Sequence, residues 1–283
     1  MRRLTRAAPL VALLACGPAW SVTTLNDAAA IPHVPEGGRE DFHQFAASPM
    51  HRAFAIAPGG GWGWTSGKVN EEEASAAALD ACQGQQPQAC ALYAVDDRVV
   101  FDAKAWARLW GPYTTAAQAE RQPVGTRRGE RFPNLAFRDA DGRRRTVTDL
   151  RGKVSVVHFW GSWCGPCRRE MPEIERLRAS LAAFKDIGFT LLQVRETIDV
   201  STKWAAAQKI GLPLCDSGSA GESDPNLLLA GGAKVGDREI AKVFPTTYVL
   251  DKHGLVLFSH VGPVRDWSQY REFLIDAAKR SGK

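Results

Sequence analysis

The chain has 283 residues, of which 45% are hydrophobic and 24% charged; these proportions suit a packed core and exclude wholesale disorder, and at roughly 150 residues per domain the length suggests about two domains. The formal net charge is +5, and three of the positive residues, Arg2, Arg3 and Arg6, crowd the extreme N-terminus. With no dense basic tract elsewhere beyond Arg143, Arg144 and Arg145, the composition argues against nucleic acid as a partner.

Residues 1–16 read MRRLTRAAPLVALLAC: an arginine-bearing head, an apolar run and a cysteine. A run of about nine residues is too short to cross a hydrocarbon layer of about 30 Å as a helix, and it reads as an export signal. Leu13-Leu14-Ala15-Cys16 resembles a bacterial lipobox, which implies that Cys16 becomes the lipid-attached first residue of the mature chain. Cleavage near Ala19 or Ala30, leaving a soluble protein, is the other reading. The expected location is the cell envelope or periplasm, with attachment to a membrane through Cys16. In an oxidising compartment cysteines are read as structural disulfides or redox groups. Cys82 with Cys90 and Cys164 with Cys167 form two close pairs, and Cys215 stands alone.

Residues 17–40, rich in Ala, Pro, Gly and Thr, read as a tether. A first domain is expected over 41–113, with an apolar strand at 54–57, a Gly-rich turn holding Trp62 and Trp64, a helix over 70–81, and short strands at 90–95 and 99–101. Cys82 ends that helix and Cys90 opens the next strand, so a disulfide closing this loop is expected, contributing roughly 2–3 kcal/mol on the loop-entropy model. The pattern A-x-x-x-A-L-x-x-C…C-x-L-Y-A-V resembles a small domain of exported bacterial proteins with undefined activity. It supplies a disulfide but no reaction, and reads as a spacer or docking module.

Residues 114–128 read as a linker, and the texture changes at 129. A hairpin is expected around Asp141-Gly142, then a buried strand over 153–160 (KVSVVHFW) that runs into Gly161-Ser162-Trp163-Cys164-Gly165-Pro166-Cys167. Met171, Ile174, Leu177, Leu181 and Phe184 follow at helical spacing, which places Cys164 at a helix N-terminus with Pro166 in the first turn. Unpaired backbone N–H groups, the helix dipole and the neighbouring Arg168 and Arg169 all favour a thiolate there. Cys164 is therefore the expected attacking nucleophile and Cys167 the resolving thiol. A zinc site would need a second ligand pair, and no second C-x-x-C or H-x₃₋₅-H motif is present, so no metal or other cofactor is implied.

The segment 129–283 resembles the TlpA/ResA-like branch of the thioredoxin superfamily. The matching stretches are 149–154 (DLRGKV), 158–172 (HFWGSWCGPCRREMP) and 244–254 (FPTTYVLDKHG). The resemblance implies an α/β thioredoxin-like fold, a mixed central sheet flanked by helices, following a separate small α+β domain. It also implies a disulfide oxidoreductase in which Pro245 is cis and lies against the cysteine pair, shaping the partner groove. Trp163, Gly165, Pro166, Phe244 and Thr246 fall in or beside that groove, and Phe244 is bulky for its position. Glu170 matches an acidic residue that this branch uses near the cysteines; buried, it would pass protons, and solvated, it would only support the helix dipole. His158 departs from the pattern, standing where the superfamily often carries Asp or Asn. It reads as a neutral proton acceptor, as an imidazolium holding the thiolate, or as a core residue without a redox role.

Further strands are expected at 189–194, 248–251 and 255–261, and helices at 201–209, ended by Gly211, and 267–280, capped by Asp266. A Gly/Ser-rich connection over 212–240 opens with Cys215, read as a small buried residue. The expected activity is exchange of disulfides with partner proteins. Reduction is favoured, with electrons from a membrane thiol donor, in cytochrome c maturation or copper-site assembly. The alternatives are an oxidant of newly exported proteins and a copper-handling or docking protein.

Overall fold

The computed structural model describes residues 25, 27–34, 36–58, 60–84, 89–111, 113–264 and 266–282. The export segment 1–16 and Cys16 lie outside the described residues. No described helix is long and apolar enough to cross a membrane.

The N-terminal part places α1 (Glu36–Ala47) and α2 (Glu71–Gln83) beside a four-stranded antiparallel sheet of β1 (Ala53–Ile56), β2 (Trp62–Thr65), β3 (Ala91–Val95) and β4 (Arg98–Val99), in the order β2-β1-β3-β4. Asn70 caps α2 by accepting the Glu73 N–H, and three glutamates in the first turn suit the helix dipole. Cys82 and Cys90 are joined, tying the end of α2 to the start of β3. Two short helices follow, α3 (Ala103–Arg108) and α4 (Ala116–Glu120).

Two expectations are corrected here. The later part of the 17–40 segment is folded: residues 28–30 make a 3-10 turn, Ile31 and Val34 are buried, and α1 begins at Glu36. Gly38, one of the glycines of this segment, is a close-packing residue. A Cβ there would meet Val34 at 2.3 Å and the Trp62 ring at 2.8 Å. The 114–128 segment likewise lies on the body of the protein. Thr115 and Gln118 form a capping box on α4, and the Arg128 guanidinium donates to the Leu109 carbonyl.

The C-terminal part opens with a hairpin of β5 (Ala136–Arg138) and β6 (Arg144–Thr146), then β7 (Val154–Trp160), α5 (Gly165–Ser180), β8 (Ile187–Gln193), α6 (Ile198–Ala207) and β9 (Leu214–Cys215). A second hairpin, β10 (Asn226–Leu228) with β11 (Lys234–Gly236), leads to α7 (Asp237–Ile240). The chain ends with β12 (Thr246–Leu250), β13 (Val256–Val261), a 3-10 turn at 267–270 and α8 (Arg271–Arg280). The central sheet has the order β13-β12-β7-β8-β9; β7, β8 and β9 are parallel, and β12 runs antiparallel to both β7 and β13. Every residue of β7 is buried, including the polar Ser155 and His158 set among its apolar residues. This is the mixed sheet of a thioredoxin-like fold, and it delivers the C-terminal end of β7 to the N-terminus of α5.

The local differences have physical causes. The helix expected over 201–209 begins at Ile198, and Lys209, with φ 57°, turns the chain out before Gly211 is reached. The 212–240 connection carries β9, the β10–β11 hairpin and α7. The last helix begins as a 3-10 turn capped by Asp266.

One buried apolar cluster runs through both parts. Trp110 stacks on Phe273 of α8 at 3.8 Å between ring centroids, and His33 sits among Trp106, Trp110 and Tyr270 at 4.4–5.6 Å. The His33 Nδ1 lies 2.7 Å from the Pro58 carbonyl, and its backbone N–H donates to Gln269. Burial pushes this imidazole down to about 4.

Candidate active site

The site begins where β7 ends. Gly161 has no side chain because the Trp163 indole occupies that space, 2.2 Å from where a Cβ would stand. The indole N–H donates to the Val194 carbonyl at 2.9 Å, leaving the ring 43% exposed beside the cysteines. Cys164 is the N-cap of α5: its Sγ accepts the Cys167 N–H at 3.2 Å, with Gly165 and Pro166 in the first turn. A sulfur at this position faces unpaired backbone donors and the positive end of the helix, and negative charge on it is stabilised. Cys164 and Cys167 are joined in a disulfide; Cys167 is fully buried and Cys164 is 5% exposed.

The opposite wall comes from the turn before β12. The Phe244–Pro245 peptide is cis, and the Phe244 carbonyl lies 3.6 Å from Cys164 Sγ. Thr246 Oγ1 donates to the Val243 carbonyl and holds this turn. The Phe244 ring meets Trp163 edge-on at 5.6 Å and lies under two guanidinium groups, Arg195 at 5.5 Å and Arg238 at 4.7 Å. Arg195 makes a two-pronged ion pair with the buried Asp237. The loop after β7 is held by Glu196, which accepts from the Ser162 N–H and hydroxyl at 2.7 and 2.6 Å.

In α5, three residues after Cys167, Glu170 faces His158 of β7 inside the protein. Glu170 is 3% exposed, so the solvated first-turn alternative does not hold. One of its carboxyl oxygens accepts from the Val264 N–H at 2.9 Å and the Trp267 indole at 3.2 Å; the other lies 3.3 Å from His158 Nε2. Among the described residues, neither that oxygen nor that nitrogen has a further hydrogen-bonding partner. Burial pushes the carboxyl up to about 8 and the imidazole down to about 3. The pair therefore holds a single proton near neutrality, with His158 Nδ1 against the Thr247 hydroxyl at 2.9 Å. An imidazolium that stabilises the Cys164 thiolate is not supported, because a ring enclosed in this way stays neutral.

Cys215 lies in β9, is buried, and has its thiol pushed up to about 12 by desolvation. Arg195, Glu196, Asp237, Thr247 and Trp267 belong to the site although the sequence reading did not single them out. Their partners are distant in the chain, and only the φ of 59° at Arg195 marks one of them as locally unusual.

The family model described as AhpC/TSA family matches residues 128–259. The thioredoxin-like protein YneN of Bacillus subtilis is 28% identical over 156 residues, covering 54% of this chain and 81% of that protein. The thiol-disulfide oxidoreductase ResA of Halalkalibacterium halodurans is 29% identical over 136 residues, covering 48% of this chain and 69% of the relative. This segment belongs to the TlpA/ResA-like branch of the thioredoxin superfamily. It is a thiol:disulfide oxidoreductase domain, preceded by a part with its own sheet and its own disulfide. A crystal structure of a thioredoxin-family thiol:disulfide interchange protein from Chlorobium tepidum aligns with 52% of this chain and 95% of its own, at 24% identity and a TM-score of 0.38.

Proposed function

We propose that this chain is an exported, envelope-attached reductant of protein disulfides that works through Cys164 and Cys167. The observation that carries the reading is the Cys164–Cys167 disulfide at the N-terminus of α5, with the more accessible sulfur at the N-cap. In the reduced protein the Cys164 thiolate attacks one sulfur of a partner disulfide, forming a mixed disulfide and releasing a partner thiolate. Cys167 then attacks Cys164 Sγ, the mixed disulfide breaks, and the second partner sulfur leaves as thiolate. Two electrons pass to the partner, and the enzyme is left in the disulfide form seen here. Glu170, whose carboxyl is pushed up to about 8, near the range of a thiol, is protonated in most molecules at neutrality, and in its ionised form it accepts the proton that Cys167 must lose before it attacks. Pro245 and Thr246 form the wall against which the partner segment lies. A membrane thiol donor restores the dithiol, and partners of the cytochrome c maturation or copper-site assembly type fit a reductant in this compartment. Export and lipid attachment through Cys16 rest on residues 1–16.

The opposite direction has one observation in its favour. Arg168 and Arg169, exposed on the first turns of α5, add positive charge beside the thiolate and favour the reduced form, which is the property of an oxidant. The reduction potential decides between the two. The mature protein is equilibrated in thiol redox buffers while fluorescence from Trp163 and Trp160 is followed. A value near or below about −250 mV supports the reductant, and one above about −150 mV makes the protein an oxidant of exported chains.

A further inference from the structure

Unpaired positive charge borders the disulfide. Arg168 and Arg169 are exposed just after Cys167, and the Arg169 guanidinium reaches to 3.6 Å from where a Cβ on Gly165 would stand. On the opposite wall Arg238 and Lys242 are exposed within six residues of Phe244. None of these four forms an ion pair among the described residues. The acidic groups nearby are already engaged: Asp237 with Arg195, Glu196 with Ser162 and Ser201, and Glu239 with the Gly236 N–H. Glu222 lies within electrostatic reach of Arg195.

Arg238 is the most telling of the four. Its guanidinium is fixed over the Phe244 ring and donates to the Lys242 carbonyl, so its plane is set before any partner arrives. The carbonyl of that same Phe244 touches Cys164 Sγ. Arg195 has the opposite character: its charge is spent on Asp237, and it serves to hold α7 against Phe244. A pre-oriented guanidinium with free donors and no carboxylate is suited to two-pronged recognition of one from outside. Trp163 and Val243, 43% and 49% exposed, supply apolar surface between the charges.

We infer that the face around Cys164 selects polypeptide segments that carry acidic residues beside their cystine, with Arg238 and Lys242 reading one flank and Arg168 and Arg169 the other. This inference rests on the disulfide-exchange reading and adds the substrate class. Two or more such contacts, each of the modest strength of a surface ion pair, amount to about tenfold in rate at low ionic strength.

The test uses two synthetic peptides, each closed by one disulfide and identical except that two glutamates flank the cysteines in one and two lysines in the other. The reduced full-length protein is mixed with each, and the second-order rate constant for its oxidation by the peptide disulfide is followed through tryptophan fluorescence. The acidic peptide is expected to react about tenfold faster, with the ratio falling toward one at high salt. In the double variant Arg238→Glu with Lys242→Glu, which leaves Arg168 and Arg169 on the other flank, the preference is expected to fall toward one. Equal rates for the wild type at low salt, or a preference the double variant leaves unchanged, would overturn the inference. If the double variant does not fold, the salt dependence of the wild-type ratio decides alone. A wild type that reduces neither peptide would instead sink the disulfide-exchange reading.

Discussion

Replacing Glu170 by glutamine probes the proton held at its carboxyl. The amide copies the protonated acid: its oxygen can accept from Val264 and Trp267, and its NH₂ group can face His158 Nε2. In the wild type, burial lifts the carboxyl from 4.5 to about 8, so the folded chain retains a proton that the unfolded chain has released. The stability this contributes is full below about 4.5 and is lost as the pH rises through about 8, a loss on the order of 5 kcal/mol. His158 acts in the opposite sense. Lowered from 6.5 to about 3, its contribution is full above 6.5 and is lost as the pH falls toward 3. Between 4.5 and 6.5 the two slopes cancel, and above 6.5 only the carboxyl's remains. Glu170→Gln is therefore expected to gain stability over the wild type steadily from about pH 5 to about pH 8. Urea unfolding of the oxidised protein across that range measures it, and all other titrating groups are common to both proteins. Parallel stability curves would mean that Glu170 ionises like a solvated carboxylate, which would remove it as the proton acceptor for Cys167.

Cys164→Ser is expected to abolish reduction of insulin disulfides, and Cys167→Ser to accumulate mixed disulfides through Cys164; retained turnover in the first variant would refute the assigned order of attack. Replacing Cys82 and Cys90 together by alanine should cost roughly 2–3 kcal/mol in urea unfolding, and an unchanged midpoint would show that the loop is held by packing alone. Cys215, buried with its thiol pushed up to about 12, should resist an aromatic disulfide reagent in the folded protein at mildly alkaline pH and react once urea is added; rapid reaction in the native state would show that β9 opens.

The cysteine pair was legible in the sequence because its physics is local. An apolar run of strand length, a cysteine, a proline two residues on and apolar residues at helical spacing are all neighbours in the chain, and they produce β7, the Cys164 N-cap and α5 directly. The surroundings were not legible because they are assembled by the sheet. His158 meets Thr247, 89 residues away, only because β7 and β12 pair in that register, and Glu170 meets Trp267 across 97 residues. The same limit applies to Arg195 and Asp237, separated by 42 residues. Composition misled where glycine serves packing rather than freedom. Gly37 and Gly38 resemble a tether in one dimension, whereas in space Gly38 lets Val34 and Trp62 close over the start of α1.

The continuity of the core bears on what the N-terminal part contributes. Trp267, which donates to Glu170, stands in the 3-10 turn at 267–270, and that turn is gripped from its other side by residues of the N-terminal part. The His33 N–H donates to Gln269, and the His33 ring packs on Tyr270 at 4.4 Å, which in turn packs on Trp267 at 5.6 Å. One donor to Glu170, the Trp267 indole, is thus braced by a segment that precedes the oxidoreductase domain by about a hundred residues in sequence, and bracing of this kind is what holds a polar group in fixed geometry. The N-terminal part packs, through His33, against the turn that carries the Glu170 donor Trp267.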